Sequence, residues 1–297
     1  MGLPGVPTNI QATRVANSGT INLTWVAPSS NGSDISSYYV FYKTNDKTNI
    51  DPYYNYVSSS MSFDGQNNST AFIDSSPPVS GLVPGTEAFN NYWTTNSSGP
   101  IISTSQSKMG LSSLYLNGST NLISTNYDIP APYAAVSNKQ RFAFPGDFTI
   151  EMWIRYSSIN VSNIMGIVDN SNGDASANIA NPGWAIYKNV AGNLVFYQQW
   201  TGELLSIPWS PIVDTWYHIA ITRSGGTTIR GFINGTVSGT TTSYGTSFSS
   251  LGLQIGKVTR PTPFYHTGFI DDFRTVSYTH LRAHETGRNL VCRLLLE

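Results

Sequence analysis

Apolar and polar residues alternate along this chain in short stretches, with a period of two rather than 3.6. The stretch 149–155 is the clearest case, with Ile150, Met152 and Ile154 on one side and Glu151, Trp153 and Arg155 on the other. Tyr217, Ile219 and Ile221 repeat the pattern. Such alternation is typical of strands that bury one face. Because clusters of Gly, Asn, Ser and Pro separate these runs at near-regular spacing, the chain is predicted to be all-β, a sandwich or barrel.

Two β-hairpins can be predicted from turn residues. Asn234 and Gly235 stand between the apolar pairs Phe232-Ile233 and Thr236-Val237, and this dipeptide favours a two-residue turn with positive φ at both positions. The segment Ala191–Asn193 separates two further apolar runs and predicts a second hairpin.

Composition narrows the classes of partner. Only 11% of the 297 residues are charged, against roughly 25% in soluble proteins. Aromatic residues make up 12%, enough for a packed core. The net charge of −1 lacks the basic footprint that nucleic acid requires. With no run of 18 apolar residues, no membrane insertion is expected. The N-terminal residues 1–7 lack the features of a signal peptide.

Four segments of the first part form a recognisable series: Pro7–Ala12, Ile21–Trp25, Ile35–Tyr42 and Leu82–Thr86. In this order they resemble a fibronectin type III domain, which we assign to residues 5–93. The resemblance implies that Trp25 is the core tryptophan of the second strand.

This first domain departs from the pattern near its end. Ala88 stands where the family has a tyrosine, and no clear final strands precede Trp93. The domain is therefore expected to be incomplete or divergent. Thr94–Pro100, a small and polar stretch, is the candidate linker.

Four segments of the second part form another series: Phe148–Arg155, Trp216–Arg223, Gly231–Val237 and Gly268–Arg274. They resemble the laminin G-like, concanavalin-like jelly-roll family, and the resemblance covers about residues 95–274. It implies a second, larger β-sandwich. Members of this family mostly hold glycans or other surfaces, and only some subfamilies cleave them.

The last residues resemble something other than a protein family. Val276–Thr286 and Leu290–Glu297 are similar to a translated sequencing adapter, so residues 275–297 are predicted to be a non-native tail. The only cysteine, Cys292, lies in this tail, and no disulfide is expected in the rest of the chain. The alternative is a genuine amphipathic C-terminal helix.

The acidic residues argue against an enzyme. Retaining glycosidases need two closely spaced carboxylates. The only glutamates outside the tail are Glu87, Glu151 and Glu203, and none has an acidic neighbour at the Glu-x-Asp-x-x-Glu spacing of family 16-like enzymes. The histidines outside the tail are expected to be structural, with His218 on an exposed or half-buried sheet face and His266 solvated in a loop.

A loop-rich stretch, residues 197–210, carries the candidate ligand site. Exposed rings of Tyr197, Trp200 and Trp209 could stack on sugars, while Gln199, with Gln198 and Glu203, supplies hydrogen bonds. The alternative is that both tryptophans pack inward, because a buried aromatic ring contributes more to stability.

A structural calcium is the candidate cofactor. The resemblance places an acidic ligand near Asp271 and a companion at Asn117, where many relatives carry aspartate. Calcium needs six to eight oxygen ligands, so the amide weakens the case. The alternative is that these side chains cap turns.

These observations together predict a non-catalytic carbohydrate-binding or adhesion module of a virion or phage surface protein, similar to a tail fibre. Its expected partner is a glycan or cell-surface polysaccharide, and its expected place is the virion surface or the extracellular space. Homo-oligomers through regions outside this chain are a further expectation. The alternatives are an accessory module of a secreted polysaccharide-degrading enzyme and a structural spacer without a ligand.

Overall fold

A computed structural model describes residues 8–14, 21–28, 56–76, 93–95, 99–124, 142–170, 182–242, 248, 253–260 and 262–278. The chain divides into two compact units, Met1–Lys47 and Thr48–Glu297. Regular structure in the described ranges is almost entirely β-strand, which confirms the predicted all-β class. These ranges include no helix with the length and apolarity to cross a bilayer.

The first unit contributes one antiparallel pair, β1 (Thr8–Arg14) and β2 (Ile21–Val26). Both strands were predicted, and Trp25 on β2 is half-buried. The segments predicted at 35–42 and 82–86 lie outside the described residues. The likeness of this unit to a fibronectin type III domain therefore stays a prediction.

The second unit contains two large antiparallel sheets. The strands of the seven-stranded sheet are β4 (Trp93–Thr95), β7 (Leu122–Ser124), β9 (Met165–Asp169), β10 (Trp184–Lys188), β11 (Leu194–Gln198), β12 (Gly202–Ile207) and β16 (Gln254–Ile255). Their spatial order is β12-β11-β10-β9-β16-β7-β4, so β12 lies at one edge.

The strands of the eight-stranded sheet are β3 (Val57–Met61), β5 (Ile101–Ser103), β6 (Ser113–Asn117), β8 (Asp147–Tyr156), β13 (Trp216–Ser224), β14 (Thr228–Ile233), β15 (Thr236–Thr242) and β19 (Thr267–Tyr278). Seven follow the order β15-β14-β13-β8-β19-β6-β5, and β3 pairs with the second half of β19. A separate hairpin consists of β17 (Lys257–Thr259) and β18 (Pro263–Tyr265). It contacts β9 of the seven-stranded sheet.

The core lies between the two large sheets. Its apolar cluster takes side chains from both, including Ile150, Met152 and Ile154 of β8 and Ile219 and Ile221 of β13, with Tyr217 packed against it. The predicted orientation of these side chains towards the core is therefore confirmed on both strands, but most of the opposite face of each strand is buried as well. Stacked rings extend the cluster, with Phe144 4.7 Å from Phe148 and 5.4 Å from Trp184 between ring centroids.

Both predicted hairpins are present. Asn234 and Gly235 have φ values of 49° and 75° and join β14 to β15. Residues 189–193 join β10 to β11 in an antiparallel pair.

The structure differs from the predicted domain boundary. Residues 56–76 and Trp93, assigned above to the first domain, belong to the second unit. Phe63, Phe72 and Trp93 are buried in its core. Asp74 ties this segment together, because its carboxylate accepts hydrogen bonds from the following four groups: Ser59 Oγ at 2.7 Å, Ser60 N and Ser76 N at 2.9 Å, and Trp93 Nε1 at 3.2 Å.

The C-terminal boundary of the second domain also differs from the predicted one. β19 runs to Tyr278, so residues 275–278 continue a strand, and Val276 is fully buried. Residues 279–297 lie outside the described residues. The adapter origin of the tail stays a prediction.

Candidate functional site

The candidate site lies on the outer face of the seven-stranded sheet. Along one row across this sheet, Glu203 pairs with Tyr197, Tyr197 with Ala185, and Ala185 with Asp169. Ala185 and Tyr187 form a small cluster, apart from the main core, to which Tyr197 adds its ring. The strands thus present two tyrosines, 6.3 Å apart between ring centroids, on the face away from the core.

The β17–β18 hairpin covers part of this face. Gly166 on β9 has no side chain, and a Cβ there would overlap Val258 N and Phe264 O of the hairpin. Thr259 N donates a hydrogen bond to Asp169 Oδ2 at 2.9 Å. At the hairpin tip, the Cζ atom of Arg260 lies 3.3 Å from the Tyr197 ring centroid. The guanidinium therefore occupies one face of that ring, and Tyr197 supports Arg260 rather than offering this face to a ligand.

The Glu203 carboxylate lies on β12, on the side of this sheet face away from the β17–β18 hairpin. The Tyr187 hydroxyl donates to Glu203 Oε1 at 3.2 Å. Burial and the Glu203 charge raise the pKa of Tyr187 well above its usual value, so the phenol stays protonated and remains the donor. Glu203 itself is exposed, and an exposed, oriented carboxylate can accept hydrogen bonds from ligand hydroxyl groups.

Trp200 lies in the turn between β11 and β12. Its φ is 68°, a left-handed conformation that is an outlier for a bulky residue and costs on the order of 1 kcal/mol. Trp200 is 54% exposed, so a large part of its ring is in contact with solvent. A tryptophan is thus held in an unfavourable backbone conformation with much of its surface exposed.

The other two predicted ligand residues point elsewhere. Trp209 is only 6% exposed and belongs to the core, with its ring centroid 6.0 Å from Tyr156 and 5.4 Å from Tyr217. Gln199 is buried, and its side-chain oxygen accepts from Gly183 N at 3.2 Å. The expectation that Trp209 and Gln199 face a ligand is corrected here, because core packing and a backbone contact occupy them. Tyr197 and Glu203 pair across β11 and β12, and Trp200 lies in the turn that joins these two strands.

Sequence reasoning missed Tyr187 and Arg260. Tyr187 could have been found, since it alternates with the buried Trp184 and Ile186 on one short strand. Arg260 could not, because its contact with Tyr197 spans 63 positions of the chain and depends on how the hairpin folds back.

The two tryptophans should differ in how much they stabilise the fold. We expect Trp209→Ala to destabilise the protein by about 3–5 kcal/mol, the usual cost of deleting a buried aromatic side chain. We expect Trp200→Gly to cost no more than about 2 kcal/mol, because the relief of strain at positive φ offsets part of the lost contacts of a half-exposed ring. Urea unfolding of both variants measures the difference. A large loss in Trp200→Gly would mean that its ring stabilises the fold.

The predicted calcium ligands are not brought together. Asp271 Oδ2 accepts hydrogen bonds from Lys108 N at 2.7 Å and Met109 N at 2.9 Å, and burial raises the pKa of this carboxyl to about 7. Asn117 Oδ1 accepts from the Ser119 and Thr120 hydroxyls. Asn117 pairs with a residue four positions before Asp271, roughly 13 Å along β19. Asn117 caps its own turn, the alternative considered above, whereas Asp271 binds the backbone of a loop more than 160 positions away in the sequence.

A charged cluster lies on the outer face of the eight-stranded sheet. Glu151 is buried, 3.7 Å from His218 Nε2 and 3.5 Å from Arg274 Nη1. His218 and His266 are both buried, and burial lowers the pKa of each to about 4. The expectations of a half-buried His218 and a solvated His266 were wrong, because packing around both rings excludes water. Within the described ranges, no group of three or more acidic, His or Cys side chains could hold a metal ion.

Comparisons with known proteins agree with this architecture. A laminin G family model, described as the Concanavalin A-like lectin/glucanases superfamily, matches residues 130–284, just over half of the chain. No curated protein sequence matches.

Two solved structures share the fold at low identity. Domain 4 of AbnA, an extracellular arabinanase from Geobacillus stearothermophilus, solved with arabinotriose, has a TM-score of 0.51 and 16% identity. That match covers 74% of this chain and 92% of the domain. The binding domain of botulinum neurotoxin serotype C1 has a TM-score of 0.50 and 16% identity, over 82% of this chain and 53% of that one.

Proposed function

Because this chain belongs to the concanavalin A-like lectin/glucanases superfamily, we propose that it is a carbohydrate-binding module whose ligand sits against Trp200 and Glu203. The observation that carries the proposal is the exposed tryptophan held at positive φ in the turn that leads into β12, the strand that carries the oriented Glu203 carboxylate. An exposed ring offers a flat apolar surface, and sugars have apolar faces that stack on such rings while their hydroxyl groups bond to nearby polar side chains.

We propose further that the module does not cleave its ligand. Two carboxyl groups about 5–9.5 Å apart are needed for glycoside hydrolysis. Among the described residues, the acid that shares the sheet row of Glu203 is Asp169, three strands away and roughly 14 Å distant. Asp169 is also buried and engaged with Thr259 N. Glu151 is on the opposite sheet, so it cannot complete a pair with Glu203.

We propose the surface of a virion or phage as the biological setting of this protein. Its support is compositional: a chain poor in charge, with its single cysteine in the predicted tail. Detection of the protein in purified virus-like particles, by mass spectrometry, tests the assignment, and its absence from them would count against it.

An accessory module of a polysaccharide-degrading enzyme is the second candidate. It is favoured by the fold likeness to an arabinanase domain that was solved with arabinotriose. A gene that encodes this chain together with a catalytic domain would support the accessory-module function.

The decisive experiment is binding of the full chain to a glycan array that includes arabino-oligosaccharides. We expect Trp200→Ala to weaken binding at least about tenfold, and Glu203→Gln to weaken it less, since the amide still accepts one hydrogen bond. Leu111→Ala is the matched control, because Leu111 is 82% exposed in a loop of the other sheet. Binding to no glycan, or equal binding by wild type and Trp200→Ala, would refute the proposed site.

A further inference from the structure

The outer face of the seven-stranded sheet is closed on one side, and its open part is short. Resting on the proposed function, we infer that the site takes the end of a glycan chain, or a short branch, rather than an internal stretch of a long polysaccharide. The inference depends on where the β17–β18 hairpin lies and on what remains uncovered beyond it.

The hairpin is fixed at its base by two contacts with β9. The backbone of Val258 and Phe264 approaches Gly166 so closely that a side chain there would not fit. Thr259 N is bonded to the buried carboxylate of Asp169. Since one contact is steric and the other is a charge-assisted hydrogen bond, the hairpin is a firm part of the face rather than a loosely attached loop.

The hairpin also reaches across the neighbouring strands. Val258 packs with Ala185 of β10 and Val195 of β11, and these side chains are fully buried. Arg260 at the tip stacks on Tyr197 of β11. A sugar chain lying across the face from the β12 edge would therefore meet Arg260 and could not continue over β10 and β9.

Among the described residues, what remains open is β12 with the turn that joins it to β11, because the outward side chains of β11 are the buried Val195 and the Tyr197 beneath Arg260. One strand is about 5 Å wide, which leaves room for very few sugar rings. Trp200 at the turn and Glu203 on β12 lie within this region. A long chain could place only its last residues here, so residues beyond those would add no contacts.

Arg260 then acts as the residue that ends the site. Arg260 is half-buried as a residue, and its buried Nε and Nη2 atoms have no hydrogen-bond partner among the described residues. Stacking on Tyr197 therefore fixes the side chain without a competing acid. The remaining guanidinium nitrogen, Nη1, is the atom that would donate to an oxygen of the terminal sugar.

The test is the dependence of affinity on chain length. Arabino- and cello-oligosaccharides of two to six residues, attached through their reducing ends, are titrated with the wild-type full chain. We expect affinity to change by less than about twofold from the trisaccharide to the hexasaccharide. A continued rise of about tenfold or more over that range would overturn the inference and leave the proposed function standing. Failure of every oligosaccharide here, together with binding to no glycan on the array, would refute both.

A variant at the hairpin tip adds a second measurement. Arg260→Ala removes the side chain that closes the face but leaves the Gly166 and Asp169 contacts intact. We expect trisaccharide affinity to fall about fivefold, and affinity to increase with chain length once the face over Tyr197 is open. Lys257→Ala, on the same hairpin but away from its tip, is the matched control and should behave as wild type. Identical length dependence in wild type and Arg260→Ala would contradict the role of Arg260.

Discussion

A fragment that begins at residue 95 is expected not to fold, whereas one that begins at residue 48 is expected to unfold in a single cooperative transition. The shorter fragment matches the jelly-roll boundary suggested by sequence. It lacks β3, whose residues pair with Phe273, Arg274, Thr275 and Val276 of the last strand. Without β3, the backbone groups of this half of β19 lose their partners on one side.

The missing core side chains add to this loss. Met61, Phe63, Phe72 and Trp93 are each at most 6% exposed in the full chain. Removing one buried side chain of this size costs about 2–5 kcal/mol, and four such losses approach or exceed the total stability of about 5–15 kcal/mol typical of a domain.

Near-ultraviolet circular dichroism and urea unfolding of fragments 95–297 and 48–297 provide the comparison. Because both keep the same C-terminal residues, the difference reports on residues 48–94 alone. Asp74→Ala in the full chain perturbs the same segment more mildly than the truncation, since it removes the carboxylate that holds β3 to Trp93. A native spectrum for fragment 95–297 would show that β3 is dispensable.

Lowering the pH from 7 to 4 should remove about 3 kcal/mol of stability through His266 alone. Burial lowers its pKa in the folded protein to about 4, against about 6.5 in an unfolded chain. The unfolded state therefore binds a proton first as the pH falls. The contribution of the neutral ring is complete above pH 6.5 and is lost progressively towards pH 4. His218 has the same direction of shift and adds to the effect.

Asp271 has the opposite effect on the pH dependence of stability. Burial raises its pKa to about 7, so the folded state binds a proton first, and the stability from this group decreases as the pH rises from about 4 to 7. The pH profile of the wild type alone therefore mixes both effects. The difference in unfolding free energy between wild type and His266→Phe isolates the histidine, and Asp271→Asn serves as the control of opposite sign. A His266→Phe difference that does not change between pH 4 and 7 would contradict the buried, neutral imidazole.

The parts of the fold that sequence predicted are those that depend on neighbouring residues. Alternation along β8 and β13 and the Asn234-Gly235 turn are local, since a strand period and a two-residue turn are set within a few positions. The pairing of β3 with β19 joins residues more than 200 positions apart, and no local pattern records it. The domain boundary was therefore placed too late in the chain.

The residues of the candidate site were likewise predictable only where they are neighbours in the sequence. Tyr197, Trp200 and Glu203 were identified because one hairpin carries all three. Trp209 was misread because aromatic character and a loop position do not reveal which way a ring points, and the structure packs it against Tyr156. Glu151 was correctly read as lying off the core side of β8, but its burial beside His218 depends on a strand more than 60 positions away.

The position of β19 has a consequence for how the protein is made. This strand is the last of the described ranges, yet it lies in the middle of its sheet, between β8 on one side and β6 with β3 on the other. On the ribosome, chains grow at about 5–20 residues per second from the N-terminus. The sheet edges of β8, β6 and β3 thus wait, unpaired and prone to aggregate, until residue 278 has emerged. This sheet is completed only after β19 has been synthesised, and a ribosome-stalled chain ending before residue 267 should be bound by holding chaperones.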